Sequence, residues 1–364
     1  MKRVLCILAN MNAGGAETFL MKIYRQLDRT KYQMDFCINV PNKCFYEDEI
    51  ISLGGKIYRI PSKSESFQLY KKKLFEVVNS NGYKYVLRIA SNGASFIDLK
   101  IAKKAGASVC AVRSSNSSDG KGLKVKIAHR LGRILYGKYV DVKIAPSDLA
   151  AIYTFGKKDY LQGKVNILQN GLMLSEYAFN PANRTAIRNE FGISEETSVI
   201  GHIGRFQQQK NHEFLIDVFY EYLKSNDNSI LMLVGVGNLE NQIREKVKEL
   251  NIEDNVIFTG LRQDVPALLS AFDTFVFPSI YEGMPNTVIE AQASGLNCLI
   301  SDTITKEANI TGTVSYISLN MKPGYWANNI SLSNVQMRPM ATEKMKSYDI
   351  DAVTDEFIRL IYEG

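Results

Sequence analysis

The stretch TFVFPSIYEGMPNTVIEAQASG, Thr274 to Gly295, decides how this chain is read. Its first residues, Thr274 to Pro278, are β-branched and aromatic and end at a proline, the pattern of a buried parallel strand. The loop Ser279 to Pro285 carries one carboxylate, Glu282, then Gly283 and Pro285, so its backbone amides can approach a ligand without side-chain obstruction. Asn286 or Thr287 starts a helix with Glu290 about one turn in. Ala291, Ala293 and Gly295 follow and allow close packing on a sheet. Two carboxylates eight positions apart therefore flank one helix amino terminus. Amides and helix dipole there face phosphate, while carboxylates accept hydrogen bonds from sugar hydroxyls. For the glutamate pair alone, the plain alternative is a strand, turn and helix of any α/β protein with solvated side chains.

Upstream, an alternating series of strands and helices opens at Ser198 with SVIGHIGRFQQQKNHEFLIDVF. A strand runs to Gly204, a polar loop holds Arg205 and Lys210, and an amphipathic helix from about Asn211 carries Phe214, Leu215, Val218 and Phe219 on one face. Two cations five residues apart at a strand exit suit a diphosphate, because both can reach oxygens that gain charge as a bond breaks. SILMLVGVG, Ser229 to Gly237, reads as a buried strand ending in a Gly-x-Gly turn at Gly235. NVIFTG, Asn255 to Gly260, is the next strand, with Leu261 and Arg262 just past it.

An earlier series fills the first half. Arg3 to Ala9 is strand-like, Asn10 to Gly15 is a loop holding Gly14 and Gly15, and a helix follows from about Ala16 to Leu27. Strand, glycine loop and helix form the phosphate-cradling arrangement of nucleotide folds, though a tight turn explains GGAE equally well. Apolar runs recur at Met34 to Val40, Lys56 to Ile60, Tyr85 to Ala90, Ser108 to Ser114 and Val142 to Pro146. Helix-length segments separate most of them, so the fold class is α/β, a parallel sheet with helices on both faces.

Together, PSxYEGMPNxxxEAxxxG, GRxxxxKN, the VGxG strand end and the VxFxG strand resemble the signature of retaining family-4 glycosyltransferases of GT-B architecture, as used in bacterial exopolysaccharide and capsule synthesis. The match runs roughly from Val4 to Asp302. It implies two Rossmann-like domains facing each other across a cleft. Residues 1–175 would form the acceptor side and 176–349 the nucleotide-sugar-binding domain, with 350–364 crossing back onto the first. It implies Arg205, Lys210 and Glu282 as the catalytic groups. Donor contacts would come from Gly14, Gly15, Gly204, Gly235, Leu261, Arg262, Gly283, Met284, Pro285, Asn286, Thr287 and Glu290, with Glu290 on the ribose and backbone groups at Leu261 and Arg262 clasping the base. The loop SVCAVRSSNSSD departs from the two histidines often found there. Arg113 and Ser115 stand in their places, and with Asn116 and Glu17 they form a candidate sugar or acceptor loop.

Composition bounds the rest. At 364 residues and 45% hydrophobic content the chain can bury two cores. No apolar run reaches the roughly 18 residues that span a bilayer. The run after Lys2 and Arg3 is too short for a signal peptide and reads as a first strand. Five scattered cysteines read as reduced core residues of a cytoplasmic protein, and three isolated histidines do not make a zinc site. Asp349-Ile350-Asp351 spells Asp-x-Asp but begins a helix, so capping is its expected role.

Net charge is +6, yet residues 1–170 carry 29 Lys+Arg against 13 Asp+Glu while the remainder carries 15 against 25. Within the basic half, Lys121 to Lys138 holds six Lys/Arg and no acid, with Leu123, Ile127, Ile134 and Leu135 between them. An anionic membrane surface fits this pattern, as does a solvated helix covering the core. Nucleic acid is disfavoured, since no module for it is present.

The expected activity is transfer of a sugar from a nucleoside diphosphate donor, a UDP-sugar, to a membrane-associated, polyprenyl-diphosphate-linked saccharide. The resemblance implies retention of configuration and no metal or other cofactor, and the basic first half suggests a cytoplasmic protein peripheral at the inner face of the plasma membrane. A GT-B-like epimerase or phosphorylase and a non-catalytic sugar-nucleotide-binding module are the alternatives. Donor sugar, linkage and oligomeric state are not encoded in any motif.

Overall fold

A computed structural model describes residues 1–115, 122–335, 338 and 343–363. The chain divides into two units, Met1–Gly171 with Tyr348–Gly364, and Leu172–Ser347.

The first unit holds seven strands: β1 (Lys2–Ile7), β2 (Tyr32–Ile38), β3 (Ile57–Arg59), β4 (Tyr85–Ala90), β5 (Val109–Ser114), β6 (Val142–Ala145) and β7 (Asn166–Ile167). They form a parallel sheet in the order β3-β2-β1-β4-β5-β6-β7. Its strands read as unbroken apolar runs because helices cover both faces: Val4 and Cys6 point into one apolar cluster, Leu5 and Ile7 into another. The carboxyl-terminal helix Ile350–Ile358 and residues 359–363 belong to this unit, with Val353, Phe357, Leu360 and Ile361 buried beside Phe19 and Tyr24. Tyr362 donates its hydroxyl to the Gln33 carbonyl at 2.9 Å, and Asp349 caps the helix through the Asp351 amide. All five cysteines are buried and free.

The helix Leu123–Tyr136 is attached through a narrow strip. His129 accepts from the Gly93 amide at 2.9 Å, and Gly132 lies so close to Gly93 and Ala94 that a Cβ there would overlap their backbone. Only these two residues of the helix are buried. Leu123, Ile127, Leu131, Ile134 and Leu135 are 50–74% exposed. The apolar stripe thus faces outward, while Tyr136 at the helix end packs on the apolar cluster of Phe96 and Leu99.

The second unit has six parallel strands: β8 (Ser198–Ile203), β9 (Ser229–Val234), β10 (Val256–Gly260), β11 (Thr274–Phe277), β12 (Cys298–Ser301) and β13 (Val314–Ile317). Their order is β10-β9-β8-β11-β12-β13, so the direction of winding reverses between β8 and β11. At the amino ends of these two strands lies a buried charge cluster. Asp273 pairs with Arg184 at 2.9 Å and with Arg188 at 2.7 Å, and it also accepts from the Val199 amide at 2.8 Å. Arg188 reaches the Ser194 and Thr197 carbonyls as well, tying the helix Pro181–Glu190 to the sheet.

Candidate active site

In an open parallel sheet, ligands bind beyond the carboxyl ends of the strands where the winding reverses. In the second unit that point lies between β8 and β11, which pair directly. Gly204 and Arg205 leave β8 there, and the loop from Ser279 leaves β11. Gly235, after β9, has φ +139, and a Cβ on it would collide with the Gly204 carbonyl. The turns after β8 and β9 therefore meet backbone to backbone, and only glycine fits at 235.

Residues Gln208–Lys210 make one 3-10 turn, and Asn211 adopts φ 57, ψ 43 before the helix His212–Leu223, whose amino terminus no side chain caps. Lys210 Nζ lies 2.7 Å from Glu282 Oε1 and 4.6 Å from the centre of the Phe277 ring. Ser279 Oγ is 2.7 Å from the same carboxylate oxygen. The Ile280 amide donates to the Gln209 carbonyl and Gln209 Nε2 to the Tyr281 carbonyl, both at 2.8 Å, which binds the two loops together. Arg205 is exposed and makes no ion pair among the described residues. An ammonium keeps two further donors when paired once, and Glu282 Oε2 accepts no bond among the described residues. Cation and carboxylate can therefore both bind a ligand while held in place by each other.

The helix Asn286–Ala293 begins at Pro285 with no side-chain cap and no acid in its first turn, leaving its dipole unneutralised beside Gly283, Met284, Asn286 and Thr287. Met284 packs on the apolar cluster beneath. Glu290, one turn in, accepts a hydrogen bond from Tyr177, whose hydroxyl is held protonated by burial and by this carboxylate. Leu261 is 77% exposed just after Gly260, which has φ +69. The Arg262 guanidinium is engaged elsewhere, with Asp264 at 2.7 Å and Glu190 at 2.5 Å, so only the backbone of Arg262 is left for a ligand.

Sequence reasoning missed what underlies this site. His202 and His212 are both buried, their rings 4.7 Å apart and edge to face, with Phe206 stacked on His212 and Phe277 on His202. His202 Nδ1 lies 2.9 Å from the Val276 carbonyl, while His202 Nε2 and both His212 nitrogens find no partner among the described residues. Burial, then the neighbouring His212 and Lys210, holds His202 well below its ordinary range, and burial and Lys210 bring His212 down to about 4. The floor under Lys210 is thus neutral at pH 7 despite two imidazoles. The signal was present in GHIGRFQQQKNH, where both histidines bracket the cationic loop.

In the first unit the corresponding edge holds the amino terminus of the helix Gly15–Gln26. The Glu17 side chain folds over Gly14, where burial pushes its carboxyl up and its own amide opposes that shift. Gly15 has open space around it. Arg113 departs from its expected place in a ligand loop. It is a residue of β5, 2% exposed, stacked 3.5 Å from the Phe19 ring centre and donating to Asn170 at 2.5 Å. Burial pulls its pKa down to about 9. A strand residue one position before the edge points into the covering helix, which the sequence pattern of a short loop cannot reveal. Ser115 is exposed, its amide bonded to the Ala90 carbonyl, and Asn116 lies outside the described residues. Among the described residues no cluster of three His, Cys, Asp or Glu is placed to hold a metal ion.

Residues 183–311 match the family described as Glycosyl transferases group 1. A Bacillus subtilis (strain 168) protein named as a glycosyltransferase, EpsF, is 34% identical over 93% of this chain and 89% of its own length. The UDP-Gal:alpha-D-GlcNAc-diphosphoundecaprenol alpha-1,3-galactosyltransferase of Escherichia coli is 31% identical over 38% of this chain and 37% of its own. Among solved structures, Anabaena Alr3699/HepE in complex with UDP-glucose superposes with a TM-score of 0.75 at 14% identity, covering 99% of both chains. That likeness is one of fold, the GT-B class of two parallel-sheet α/β domains.

Proposed function

The chain belongs to the group 1 glycosyltransferases, and from that premise we propose that it moves a sugar from a UDP-sugar to a lipid-diphosphate-linked saccharide in surface polysaccharide synthesis, with retention of configuration. The observation that carries the reading is the juxtaposition of Lys210 and Glu282, 72 positions apart in sequence, at the switch point of the second sheet. As the bond between anomeric carbon and phosphate breaks, negative charge grows on the leaving diphosphate. Arg205, Lys210 and the amino terminus of the helix Asn286–Ala293 meet that charge, so no metal is needed for it. Glu282 takes the donor-sugar hydroxyls and Glu290 the ribose. The freed phosphate oxygen accepts the proton of the acceptor hydroxyl as the new bond forms on the same face. Uridine as the base is suggested by the UDP-glucose held by the Anabaena protein, and the acceptor class by the diphosphoundecaprenol substrate of the Escherichia coli relative.

A thermal-shift series tests the donor. A UDP-sugar that binds should raise the melting temperature in proportion to the logarithm of its concentration, and GDP- and ADP-sugars should raise it less. Equal shifts with all three bases would count against uridine. Nucleotide release without a saccharide product would point to the epimerase class instead.

A lipid-linked acceptor calls for an enzyme that works at a membrane, and the outward apolar stripe of the helix Leu123–Tyr136 supports that reading. Five outward apolar side chains are flanked by Lys124, Lys126, Arg130 and Arg133, as an interfacial helix requires. Vesicles of phosphatidylglycerol should sediment the protein at low salt and release most of it at 0.5 M salt, while the Leu123→Ser, Ile127→Ser, Ile134→Ser triple variant stays in solution. Binding that ignores lipid charge would overturn this placement.

A further inference from the structure

The ladder between β8 and β11 stops early. Thr274 sits beside Ile200 and Phe275 beside Gly201, and there the pairing ends, although β8 runs on to Ile203 beside β9 and β11 to Phe277 beside β12. The two strands part where the winding reverses, which opens the crevice. A side chain bridges them just beyond the last pair, with His202 Nδ1 2.9 Å from the Val276 carbonyl. A carbonyl only accepts, so Nδ1 carries the proton and Nε2 a lone pair. A second proton, on Nε2, would be an unmatched charge enclosed by the rings of His212 and Phe277, so the imidazole stays neutral.

The far edge of this ring reaches the cationic loop. A Cβ on Gly204 would stand 3.0 Å from His202 Nε2 and 3.2 Å from Cγ and Cδ of Lys210. Imidazole and lysine stem therefore crowd one point, and Gly204 leaves it empty for them. Packing accounts for a flat ring here but not for its nitrogen, because a phenylalanine would fill the same space. What the nitrogen adds is a bond that decides where the ring stands.

We propose that His202 is a positioning residue: bonded to Val276 through Nδ1, its ring spaces β8 from β11 at the crevice and backs the Lys210 stem, so that the ammonium meets the diphosphate of the ligand. This rests on the assignment of Lys210 to the diphosphate made above. The ammonium already stands 2.7 Å from Glu282, and a stem held from behind has less freedom to lose on binding. Because His202 acts only through Lys210, its effect falls on the second phosphate, and the two substitutions should not add.

Calorimetric titration of the full chain with UDP and with UMP, which lacks the second phosphate, isolates that effect. Wild-type protein should prefer UDP. Lys210→Met should weaken UDP by about tenfold or more and leave UMP nearly unchanged. His202→Phe keeps a ring without the donor and should lose most of the same preference. His202→Asn, whose amide N–H falls near the place of Nδ1, should restore it to within a few-fold of wild type. The His202→Phe, Lys210→Met double variant should be no worse than Lys210→Met alone.

If Lys210→Met loses the preference and His202→Phe keeps it, the positioning is wrong and the diphosphate assignment stands. If wild-type protein shows no preference, or Lys210→Met retains it, the assignment falls and takes the positioning with it. Equal weakening of UDP and UMP by His202→Phe, no rescue by His202→Asn, or additive losses in the double variant would reduce the ring to packing and overturn the proposal. Should His202→Phe not fold, His202→Gln, whose amide falls near the place of Nε2 instead, takes its part in the same comparison. Long-range nitrogen–proton NMR of the wild type should also show His202 protonated at Nδ1, and a proton on Nε2 would overturn the proposal without any variant.

Discussion

Lys210→Met should lower kcat by about 100- to 1000-fold, the loss of one preorganised donor to a developing anion. The ammonium stands 2.7 Å from Glu282 Oε1 and over the Phe277 ring, on a floor whose two histidines carry no charge of their own at neutral pH. Its side chain is 20% exposed, so its field is only partly screened. Methionine keeps the stem that packs on Phe277 while removing the charge, which separates chemistry from folding. Arg205→Ala, at an exposed position, should cost turnover with no loss of melting temperature. Donor KM should change less than kcat in both, because the charge being met is larger in the transition state than in the bound donor. Near-normal kcat in both folded variants would remove the diphosphate from this loop.

Asp273→Ala is expected to be the most damaging single change to stability, at about 3–5 kcal/mol. Its carboxylate serves Arg184 and Arg188, both nearly without solvent contact, and the Val199 amide. Removal leaves the buried Arg188 with carbonyl partners alone, leaves Arg184 to the largely exposed Glu195, and takes the acceptor from the Val199 amide. Urea unfolding of the wild type and variant would show this as a fall in midpoint at constant slope. The Arg184→Met, Arg188→Met, Asp273→Leu triple variant should recover much of the loss, since an apolar replacement leaves no buried charge unpaired. A loss below about 1 kcal/mol in Asp273→Ala would mean that the arginines find other partners or water.

Much of this arrangement was legible in the chain because parallel strands covered on both sides must be continuous apolar runs, and β1, β8, β9 and β11 are. Cationic and acidic groups just past β8 and β11 could be assigned to one edge for the same reason, and Lys210 and Glu282 are indeed in contact. Side-chain direction at an edge was harder to read. Arg113 sits one residue inside its strand and turns into Phe19, whereas its neighbour Ser115 is exposed. Helix spacing showed that Leu123 to Tyr136 has an apolar face but not which way that face points. That depends on Gly132 and His129 meeting Gly93, a contact between distant segments. The Tyr177 bond to Glu290 and the paired histidines are likewise contacts across the sequence, with no periodicity to betray them.

The packing of Val353, Phe357, Leu360 and Ile361 among the residues of β1 and β2 has a bearing on synthesis. A nascent chain emerges from its amino end, so residues 1–171 leave the ribosome with one wall of their interior still untranslated. The second unit, contiguous from Leu172 to Ser347, can close first. The half that is made earliest is therefore the half that finishes last, and until then it must wait with the apolar side of Phe19 and Tyr24 uncovered.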